Sequence, residues 1–516
     1  MILIASGAFI SSEFQVELGR LPPALVPLGN KRLYEHQVSA IREIFPNEEI
    51  YLSLTDAYTL RNTDALLIDK LNITIVTVPN GLLLGESLLY VINSIGKYDE
   101  TFRLLHGDTL IRDFPIGEDI VMLAKAEDEY PWEFEDSADN KIWCGYFSFS
   151  DIKLFAKSLL VARGQFSDSV RSYQKVRRQE NPVSTTWLDL GHVNTYFRAR
   201  ASVTTQRAFN ELEIANGVVK KSSQQTKKIE AEANWFQNLP SNLKRYVPQL
   251  ISGSTGSARK SYELEYLALL PLNELFVHGN LMPIFWMKIF QIIENLLCDF
   301  SSLVIIEKMN SEDIESDYKK LVIQKTNDRI KRFAHETGSS ITQRTKYNGR
   351  MLPSIAEIIK DCQESALRIP PRQGVLHGDM CFSNILYDSR TNNVKLIDPR
   401  GMTSESEMVI LGDLRYDIAK FAHSVIGLYD HIVAGLFSLE ERDPLSFKFT
   451  IHTDEETNKV QRYFFEQQLI LGISAKQITP LVILLFLSML PLHSDKPLKQ
   501  RAFLANSLRL YSNWKE

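Results

Sequence analysis

The stretch that decides the fold of the larger part of the chain reads Gly374-Val-Leu-His-Gly-Asp-Met-Cys-Phe-Ser-Asn384, and a second apolar run then ends in Asp398. An apolar run leads into His-Gly-Asp, and Asn384 follows Asp379 five positions later. Phosphoryl transfer to a hydroxyl requires one carboxylate for the acceptor, and an amide with a second carboxylate for Mg²⁺ on the nucleotide phosphates. Two strands ending in turn-forming residues are the alternative, but the number of matching groups favours a phosphoryl-transfer site.

This pattern resembles the aminoglycoside phosphotransferase and choline kinase family, relatives of the protein kinases, over the C-terminal part of the chain. The resemblance implies that Asp379 is the catalytic base, that Asn384 and Asp398 bind Mg²⁺, and that ATP is the phosphoryl donor. It implies that His377 braces the catalytic loop. The expected fold is an α+β, protein-kinase-like bilobal domain over residues 204–516, with an N-lobe at about 204–275 and a C-lobe at about 276–516.

The totals describe an ordinary globular protein of more than one domain. The chain has 516 residues, is 44% apolar and 23% charged, and has a net charge of −5. That length exceeds one core, so two or three domains are expected. The charge balance gives no reason to expect a nucleic-acid partner. The four cysteines fit no metal spacing and predict reduced thiols in a cytoplasmic protein; they are Cys144, Cys298, Cys362 and Cys381.

Two apolar segments could be mistaken for a signal peptide or a membrane-spanning helix. The N-terminal Met1–Gly7 lacks the basic flank of a signal peptide and is typical of a first buried strand. The longest apolar run, Leu481–Leu490, is about half as long as a membrane span requires. It predicts a buried helix and no membrane span. The expected partners are small-molecule substrates and nucleotides, and a homo-oligomer is left open.

The first 110 residues alternate strand-like and helix-like runs. Such a βαβ rhythm predicts an α/β, Rossmann-like domain with a mostly parallel sheet and helices on both faces. Ligands bind such sheets at the C-terminal ends of the strands, and Asp108 follows one of them. The predicted strands are Ile2–Ala5, Ile50–Leu54, Ile73–Val78 and Phe102–His106, and the predicted helices are Leu33–Ile44 and Glu86–Ile95.

Four segments of this region resemble the nucleotidyltransferase family that makes activated sugars and CDP-alcohols. They are the Pro- and Leu-rich run Leu21–Gln37, Gly85-Glu-Ser, Gly107-Asp108, and Trp187-Leu-Asp189-Leu-Gly-His. The resemblance implies that Gly85 contacts the base, and that Asp108 and Asp189 supply the metal carboxylates. Two carboxylates on one Mg²⁺ suit attack of a phosphate on the α-phosphorus of an NTP, since the metal neutralises the departing pyrophosphate.

The sequence departs from that family at the triphosphate loop. The family has a glycine-rich loop with an Arg, because backbone N–H groups must surround the phosphates. Here the segment Gly7–Arg20 has two glycines and several bulky residues, and Pro23 stands where a Lys is expected. Arg20 or Lys31 would then supply the missing positive charge. The alternative is a domain that binds nucleotide poorly and serves as a scaffold.

The junction lies near residue 203, which gives domains at 1–203 and 204–516. Asn216-Gly217 between two strand-like runs predicts a hairpin, and its second strand ends in lysines. In the kinase-like fold a strand lysine holds the α- and β-phosphates and pairs with a helix glutamate. Lys220 and Glu232 are the predicted nucleotide-binding pair. Lys221 and Glu230 are the alternative, because neighbouring strand residues face opposite ways.

A strand ending near Glu265-Tyr266-Leu267 resembles the hinge whose backbone holds the adenine.

The two resemblances together predict that the whole chain is a bifunctional enzyme. The kinase-like domain would phosphorylate a small hydroxyl compound (choline-, ethanolamine- or sugar-like), and the N-terminal domain would join a phosphorylated compound to a nucleotide, with CTP favoured. The nearest analogy is synthesis of CDP-alcohols for capsule or lipopolysaccharide. The alternatives are a kinase with an inactive N-terminal binding or assembly module, and a pseudoenzyme scaffold.

Overall fold

The computed structural model describes residues 1–136, 140–203, 210–255, 260–302, 311–443 and 445–516. The chain forms two compact units. The first comprises Met1–Thr204 with His278–Asn280, and the second comprises Thr205–Val277 with Leu281–Glu516.

Unit 1 is an α/β fold with nine described strands, of which seven form one sheet and two short ones form a separate pair. Its strands are β1 (Ile2–Ser6), β2 (Ile50–Thr55), β3 (Ile73–Val78), β4 (Phe102–His106), β5 (Thr109–Leu110), β6 (Ile120–Lys125), β7 (Phe134–Asp136), β8 (Lys141–Phe149) and β9 (Leu188–Asp189). Its helices are α1 (Ser12–Leu18), α2 (Leu33–Ile44), α3 (Asn62–Lys70), α4 (Leu84–Ile95), α5 (Ile152–Val161), α6 (Phe166–Gln174) and α7 (Val193–Val203).

The order of this sheet is β3-β2-β1-β4-β8-β6, with β7 beside β8. The first four strands run parallel, and β8 and β6 continue the sheet antiparallel. The predicted Rossmann-like α/β class is confirmed. The short strands β5 and β9 pair separately, beyond the C-terminal end of β4. Four of the described helices of unit 1 were not predicted: α3, α5, α6, and α1, which lies inside the segment Gly7–Arg20 that was expected to be a loop.

A buried ion pair fixes the turn that precedes α2. The Arg32 side chain is fully buried, and its Nε and Nη2 donate to Asp64 Oδ1 and Oδ2 at 2.7 and 2.8 Å. Arg61 Nε also donates to Asp64 Oδ2, at 3.1 Å. Burial alone would raise the pKa of Asp64, but the two guanidinium groups outweigh it and lower that pKa to about 2. The carboxylate therefore stays charged at every physiological pH.

Replacing Asp64 by Asn is expected to lower the free energy of unfolding at pH 7 by about 3–5 kcal/mol, because Arg32 would remain buried without its counter-charge. Because the folded pKa of Asp64 is depressed, its stabilisation is present above its ordinary value of 3.8 and is lost as the pH falls towards about 2. Urea unfolding at pH 7 and pH 3 measures both effects. The exposed Asp69→Asn, on the same helix, is the control. A loss below about 1 kcal/mol, as for surface pairs, would contradict the expectation.

Unit 2 begins with a four-stranded antiparallel sheet of order β10-β11-β13-β12 and continues with mostly helical structure. Its strands are β10 (Asn210–Ala215), β11 (Val218–Ser223), β12 (Leu250–Thr255), β13 (Lys260–Glu265), β14 (Leu270–Pro271), β15 (Arg344–Tyr347), β16 (Arg350–Ser354), β17 (Gln373–Val375), β18 (Ile385–Asp388), β19 (Asn393–Leu396), β20 (Leu411–Asp413), β21 (Phe437–Asp443), β22 (Ser446–Ile451), β23 (Leu469–Ile470) and β24 (Ile473–Ser474).

The helices of the C-terminal part are α8 (Thr226–Asn238), α9 (Leu272–His278), α10 (Pro283–Ser302), α11 (Ser311–Lys319), α12 (Lys325–Thr337), α13 (Ile355–Leu367), α14 (Arg415–Val425), α15 (Tyr429–Val433), α16 (Glu455–Gln467), α17 (Ala475–Met489) and α18 (Pro497–Lys515). A π-helical turn, Lys320–Gln324, joins α11 to α12. The predicted α+β class is confirmed. So is the predicted hairpin, whose Asn216 and Gly217 both have positive φ, 52° and 75°.

The apolar run near the C-terminus forms α17, and every residue of this helix except Lys476 and Gln477 is buried. Among the described residues, Ala475–His493 passes a length and composition test for a membrane span, but 83% of its most apolar window is buried inside the fold. The prediction of a buried helix at Leu481–Leu490 is confirmed.

Candidate active sites

The loop between β17 and β18 carries His377, Asp379 and Asn384, and the buried His377 ring shapes it. Nε2 of His377 lies 2.9 Å from Ile397 O, and Nδ1 accepts a hydrogen bond from Asp379 N at 3.3 Å. Burial lowers the pKa of His377 to about 4, so the ring is neutral, with its proton on Nε2. It ties the loop to the segment that leads to Asp398.

Asp417, on α14, holds the same loop from the other side. Its two carboxylate oxygens accept the backbone N–H groups of His377 and Gly378, both at 2.7 Å. Asp417 is fully buried. Both oxygens of Asp417 are therefore engaged in holding the backbone of this loop.

Asp379 and Asn384 lie side by side in this loop. Nδ2 of Asn384 donates to Asp379 O at 2.9 Å and to Asp379 Oδ2 at 3.1 Å. The amide is thereby oriented, and its Oδ1, which has a long 3.4 Å contact from Ser383 Oγ, is the atom suited to a metal. Asp379 is 39% exposed and Asp398 is 33% exposed, so both carboxylates can be reached by a ligand.

Lys420 is a residue of this site that sequence reasoning missed. Its Nζ lies 2.8 Å from Asp379 Oδ1. Burial would raise the pKa of Asp379, but Lys420 outweighs it and holds that pKa well below its usual range. No local signal pointed to this lysine, because it follows Asp379 by 41 positions on another element, α14.

The predicted pairing of Lys220 with Glu232 is wrong, and so is the alternative of Lys221 with Glu230. Lys221 Nζ lies 2.6 Å from Glu232 Oε2 and 3.0 Å from Asp398 Oδ1. Lys220 is exposed on the opposite face of β11, because successive strand residues alternate. Tyr262, the cross-strand neighbour of Lys221, also donates to Glu232, at 2.8 Å.

The charges around Lys221 keep it protonated. Burial works to lower the pKa of Lys221, but the carboxylates of Asp398 and Glu232 outweigh burial and raise it. The same lysine therefore bridges a helix glutamate and the predicted metal ligand. This is the arrangement in which a cation can hold nucleotide phosphates next to a metal.

Replacing Lys221 by Met is expected to weaken binding of Mg·ATP by about 10- to 100-fold, the value of one charged hydrogen bond. It should also destabilise the fold, because Glu232 would be a buried charge without its partner. The exposed Lys220→Met, one position earlier, is the matched control and should change neither quantity. Calorimetric titration with Mg·ATP and urea unfolding measure both. Equal loss of binding in the two variants would contradict the assignment.

The predicted hinge, Glu265-Tyr266-Leu267, follows β13. The backbone amides of Glu265 and Tyr266 donate to Gln249 O and Gly217 O, at 2.9 and 2.8 Å. Among the described residues, the amide of Leu267 has no acceptor. Leu267 N–H is therefore the donor of this segment that is suited to an adenine.

In unit 1 the two predicted metal carboxylates come together. Strand β5 pairs with β9 so that Thr109 faces Asp189, and Leu190 N donates to Asp108 O at 2.8 Å. A methyl group placed on Gly191 would lie 2.7 Å from Asp108 Oδ2 and 3.3 Å from Asp189 Oδ1. Both carboxylates thus converge on the α-carbon of Gly191, which explains a glycine at this position.

The two carboxylates also influence each other. Burial and the charge of Asp189 raise the pKa of Asp108 to about 6. Asp189 is held by Thr195 Oγ1, which donates to its Oδ2 at 2.5 Å, and by His192 Nδ1 at 2.8 Å from the same oxygen. Two close carboxylates of this kind repel each other unless a proton or a cation lies between them.

The donor set fits Mg²⁺ in both units. Among the described residues no three His, Cys, Asp or Glu side chains form a ready cage. Mg²⁺ is usually bound by one or two carboxylates together with substrate phosphates and water. Asp108 with Asp189, and Asp398 with Asn384, are sets of that size.

A cavity of about 510 Å³ adjoins Asp189 in unit 1 and is lined partly by Trp132, Trp187 and Arg198. The rings of Trp132 and Trp187 meet edge to face, with centroids 5.7 Å apart. Arg198 is paired with Asp128, which also lines the cavity. The cavity places polar and aromatic groups beside one of the two carboxylates.

The other residues of unit 1 that were predicted to bind nucleotide are Arg20, Lys31 and Gly85. Arg20 and Lys31 are exposed, and Arg20 Cζ lies 3.9 Å from the centroid of the Phe9 ring. Gly85 is buried in α4, and its N–H donates to Gly164 O at 3.1 Å. A β-carbon on Gly85 would lie 2.4 Å from that oxygen, so close packing by itself requires glycine here.

No protein-family description matches the chain, and no curated protein matches it significantly. Solved structures do. A nucleoside-diphosphate-sugar pyrophosphorylase from Vibrio cholerae RC9 matches 39% of the chain over 99% of its own length, with 13% identity and a TM-score of 0.32. The inositol-1-phosphate CTP transferase from T. maritima matches 39% over 95% of its length, with 12% identity and a TM-score of 0.30.

A thermostable mutant of aminoglycoside phosphotransferase APH(4)-Ia matches 60% of the chain over 92% of its own length, with 10% identity and a TM-score of 0.37. Nucleotidyltransferases and an aminoglycoside phosphotransferase are thus both among the structures to which this chain is similar.

Proposed function

We propose that the chain is a bifunctional enzyme, with an ATP-dependent small-molecule kinase in unit 2 and a nucleotidyltransferase in unit 1. The observation that carries the kinase is the joint placement of its polar groups. One loop sets Asp379 and Asn384 3.1 Å apart, and Lys221 bridges Glu232 to Asp398. This set matches the requirements of phosphoryl transfer, which depends on positioning and charge stabilisation.

In the proposed kinase reaction Asp379 orients the acceptor hydroxyl and takes its proton as the γ-phosphoryl group is transferred. Lys221 holds the α- and β-phosphates, and Leu267 N–H contacts the adenine. Asn384 Oδ1 and Asp398 would hold Mg²⁺, which supplies charge neutralisation on the phosphates. The ion pair with Lys420 keeps Asp379 deprotonated, so it can accept a hydrogen bond from the acceptor throughout the neutral pH range.

In the proposed nucleotidyltransferase reaction a phosphate of the acceptor attacks the α-phosphorus of an NTP, with CTP favoured. Asp108 and Asp189 would hold Mg²⁺, which lowers the cost of the charge that builds on pyrophosphate. His192 and Thr195 keep Asp189 in place. The cavity beside Asp189 is the candidate site for the acceptor.

The two reactions form a sequence, since a phosphorylated alcohol made by unit 2 is the kind of acceptor that unit 1 would use. Choline, ethanolamine and simple sugars are the acceptors suggested by the sequence resemblance, and precursors of capsule or lipopolysaccharide are the proposed products. The four cysteines are free thiols, which supports a reducing, cytoplasmic setting.

Release of ADP and of pyrophosphate by the purified chain tests the proposal. With Mg·ATP and a panel of hydroxyl compounds, ADP should form in an acceptor-dependent manner. With CTP and the phosphorylated product, pyrophosphate should follow, faster than with UTP, GTP or ATP. Absence of pyrophosphate with every NTP, together with no thermal shift, would leave only the kinase.

A kinase with an inactive unit 1 is the second candidate, because one observation favours it. Helix α1 occupies the segment where the resembled nucleotidyltransferases have a glycine-rich phosphate loop. Fewer backbone N–H groups are then left to surround a triphosphate. The pyrophosphate assay separates the two candidates directly.

A further inference from the structure

Four basic side chains gather beside the catalytic loop of unit 2. Lys325 and Arg329 lie on α12, Lys420 lies on α14, and Arg400 follows Asp398 by two positions. Three of them surround the ring of Tyr416. Arg400 Cζ lies 5.4 Å and Lys325 Nζ lies 5.7 Å from the ring centroid, and Lys420 is one helical turn away. These four residues are called the basic cluster below.

In the described part of the chain, the guanidinium group of Arg400 has few hydrogen-bond acceptors and no close carboxylate. Its Nε donates to Met402 O at 2.8 Å. Its Nη1 and Nη2 are buried and have no hydrogen-bond partner among the described residues. The carboxylate that approaches it, Asp317 Oδ2, stays 3.6 Å from Nη2, while Asp317 Oδ1 accepts from Ser404. Two buried guanidinium nitrogens without hydrogen bonds are costly unless a ligand accepts from them.

The carboxylates near the basic cluster are too few to neutralise it. Asp379 pairs with Lys420, and Asp417 is occupied by two backbone N–H groups. Asp398, two positions from Arg400, pairs with Lys221, and Asp317 makes the long contact with Arg400. Among the described residues Lys325 and Arg329 have no ion pair, and Arg329 Nη1 donates to the backbone oxygen of Ser488 at 3.2 Å.

The pKa of Tyr416 is consistent with this excess of positive charge in the basic cluster. Burial would raise the pKa of the Tyr416 phenol, but Lys325, Lys420 and Arg400 outweigh burial and lower it to about 8. Tyr416 works to raise the pKa of Lys325, but burial together with Arg329, Arg400 and Lys420 lowers it. The surroundings of Tyr416 are therefore electropositive and favour an anion.

We infer that the phosphoryl acceptor of unit 2 carries an anionic group, a carboxylate or a phosphate, which binds Arg400 and Lys325 while its hydroxyl faces Asp379. The inference rests on the proposed kinase function and narrows it to a substrate class. Arg400 offers two planar N–H donors to such a group. Choline and ethanolamine are cations, and the basic cluster repels them. These two compounds, candidates from the sequence, are therefore replaced by hydroxy acids and alcohol phosphates.

Ligand binding to the full chain tests this inference. Mg·ADP is first added to saturation, so that added anions cannot occupy the α- and β-phosphate positions. A repeat with a non-hydrolysable ATP analogue fills the γ-phosphate position as well. The probes are glycerol, glycerate, glycerol phosphate, inorganic phosphate, choline and ethanolamine, measured by calorimetry. We expect glycerate or the two phosphates to bind at least about 10-fold more tightly than glycerol, and the two cations not to bind. The comparison of glycerate with glycerol phosphate separates carboxylate from phosphate.

Variants locate the bound anion. Arg400→Gln and Lys325→Gln are each expected to weaken the anion by about 10- to 100-fold, with the Kd of Mg·ADP unchanged. Lys325 is partly exposed and outside the catalytic loop, so its variant remains informative if Arg400→Gln does not fold. Arg332→Gln, on the same helix α12 and 63% exposed beside Glu336, is the control and should bind like the unchanged chain.

Three outcomes would overturn the inference. Binding of choline with no binding of any anion shows the opposite charge preference. Anion binding that survives both Arg400→Gln and Lys325→Gln places the anion elsewhere. Weakened Mg·ADP binding in these variants assigns the basic cluster to the nucleotide. By contrast, no binding of Mg·ADP to the unchanged chain would show that the proposed kinase function itself fails, and the inference with it.

Discussion

Replacement of Asp379 by Asn is expected to lower phosphoryl-transfer turnover by about 10²- to 10⁴-fold, the usual contribution of a positioned general base. The amide has the shape of the carboxylate but cannot take the proton of the acceptor. The affinity for Mg·ATP should be nearly unchanged, because Lys221, Asn384 and Asp398 remain. ADP release with a working acceptor measures the first effect, and calorimetric titration with Mg·ATP measures the second.

Two controls make this result specific. Asp495→Asn removes an exposed carboxylate, 66% accessible, and should leave turnover unchanged. Pyrophosphate release from unit 1, measured with the phosphorylated acceptor supplied, should also be unaffected in the Asp379 variant. Full kinase activity in Asp379→Asn would show that this carboxylate has no role in proton removal.

Replacement of Asp108 by Asn is expected to lower pyrophosphate release by about 10²- to 10⁴-fold, because a metal carboxylate contributes several kcal/mol of charge stabilisation. The same change should stabilise the metal-free fold at pH 7. The pKa of Asp108 is raised to about 6, above its ordinary value, so its ionisation costs stability as the pH rises through about 6. An amide has no such cost.

The diagnostic result is that Asp108→Asn loses pyrophosphate release while its metal-free fold gains stability. Urea unfolding in the presence of a chelator at pH 4 and pH 7 should show the stabilisation of Asp108→Asn mainly at pH 7, because the cost of ionising Asp108 grows between its ordinary pKa of 3.8 and the raised value of about 6. The exposed Asp69→Asn should change neither stability nor pyrophosphate release. If Asp108→Asn lost stability and kept its activity, Asp108 would be a structural residue and unit 1 would use other metal ligands.

The sequence predicted the kinase-like loop well because its functional groups lie within a short segment. His377, Asp379 and Asn384 are separated by a few residues, so their spacing alone fixes their relative positions. Lys420 could not be found in this way. It reaches Asp379 only because α14 packs against the loop, and that packing depends on contacts distant in the sequence.

The choice between Lys220 and Lys221 shows that the sequence does not determine which face of a strand is buried. A strand alternates its faces with a period of two, so the sequence establishes that one lysine points inwards but not which one. The register between β11 and β13 decides it, since Lys221 faces Tyr262 across the sheet and both reach Glu232.

In unit 1 the strands with clear apolar runs were predicted, from β1 to β4, and their parallel order followed from the alternation with helices. Helices α1, α3, α5 and α6 were missed. The buried Asp64 of α3 owes its place to Arg32, 32 positions earlier, and a polar residue on a short helix gives no apolar period to read.

The contact between Asp417 and the amides of His377 and Gly378 makes the loop that carries Asp379 dependent on a distant part of the chain. The contacting residues are about forty positions apart, so the loop keeps its shape only while α14 is docked against it. Damage confined to α14 can therefore disable this loop while every residue of its motif remains intact.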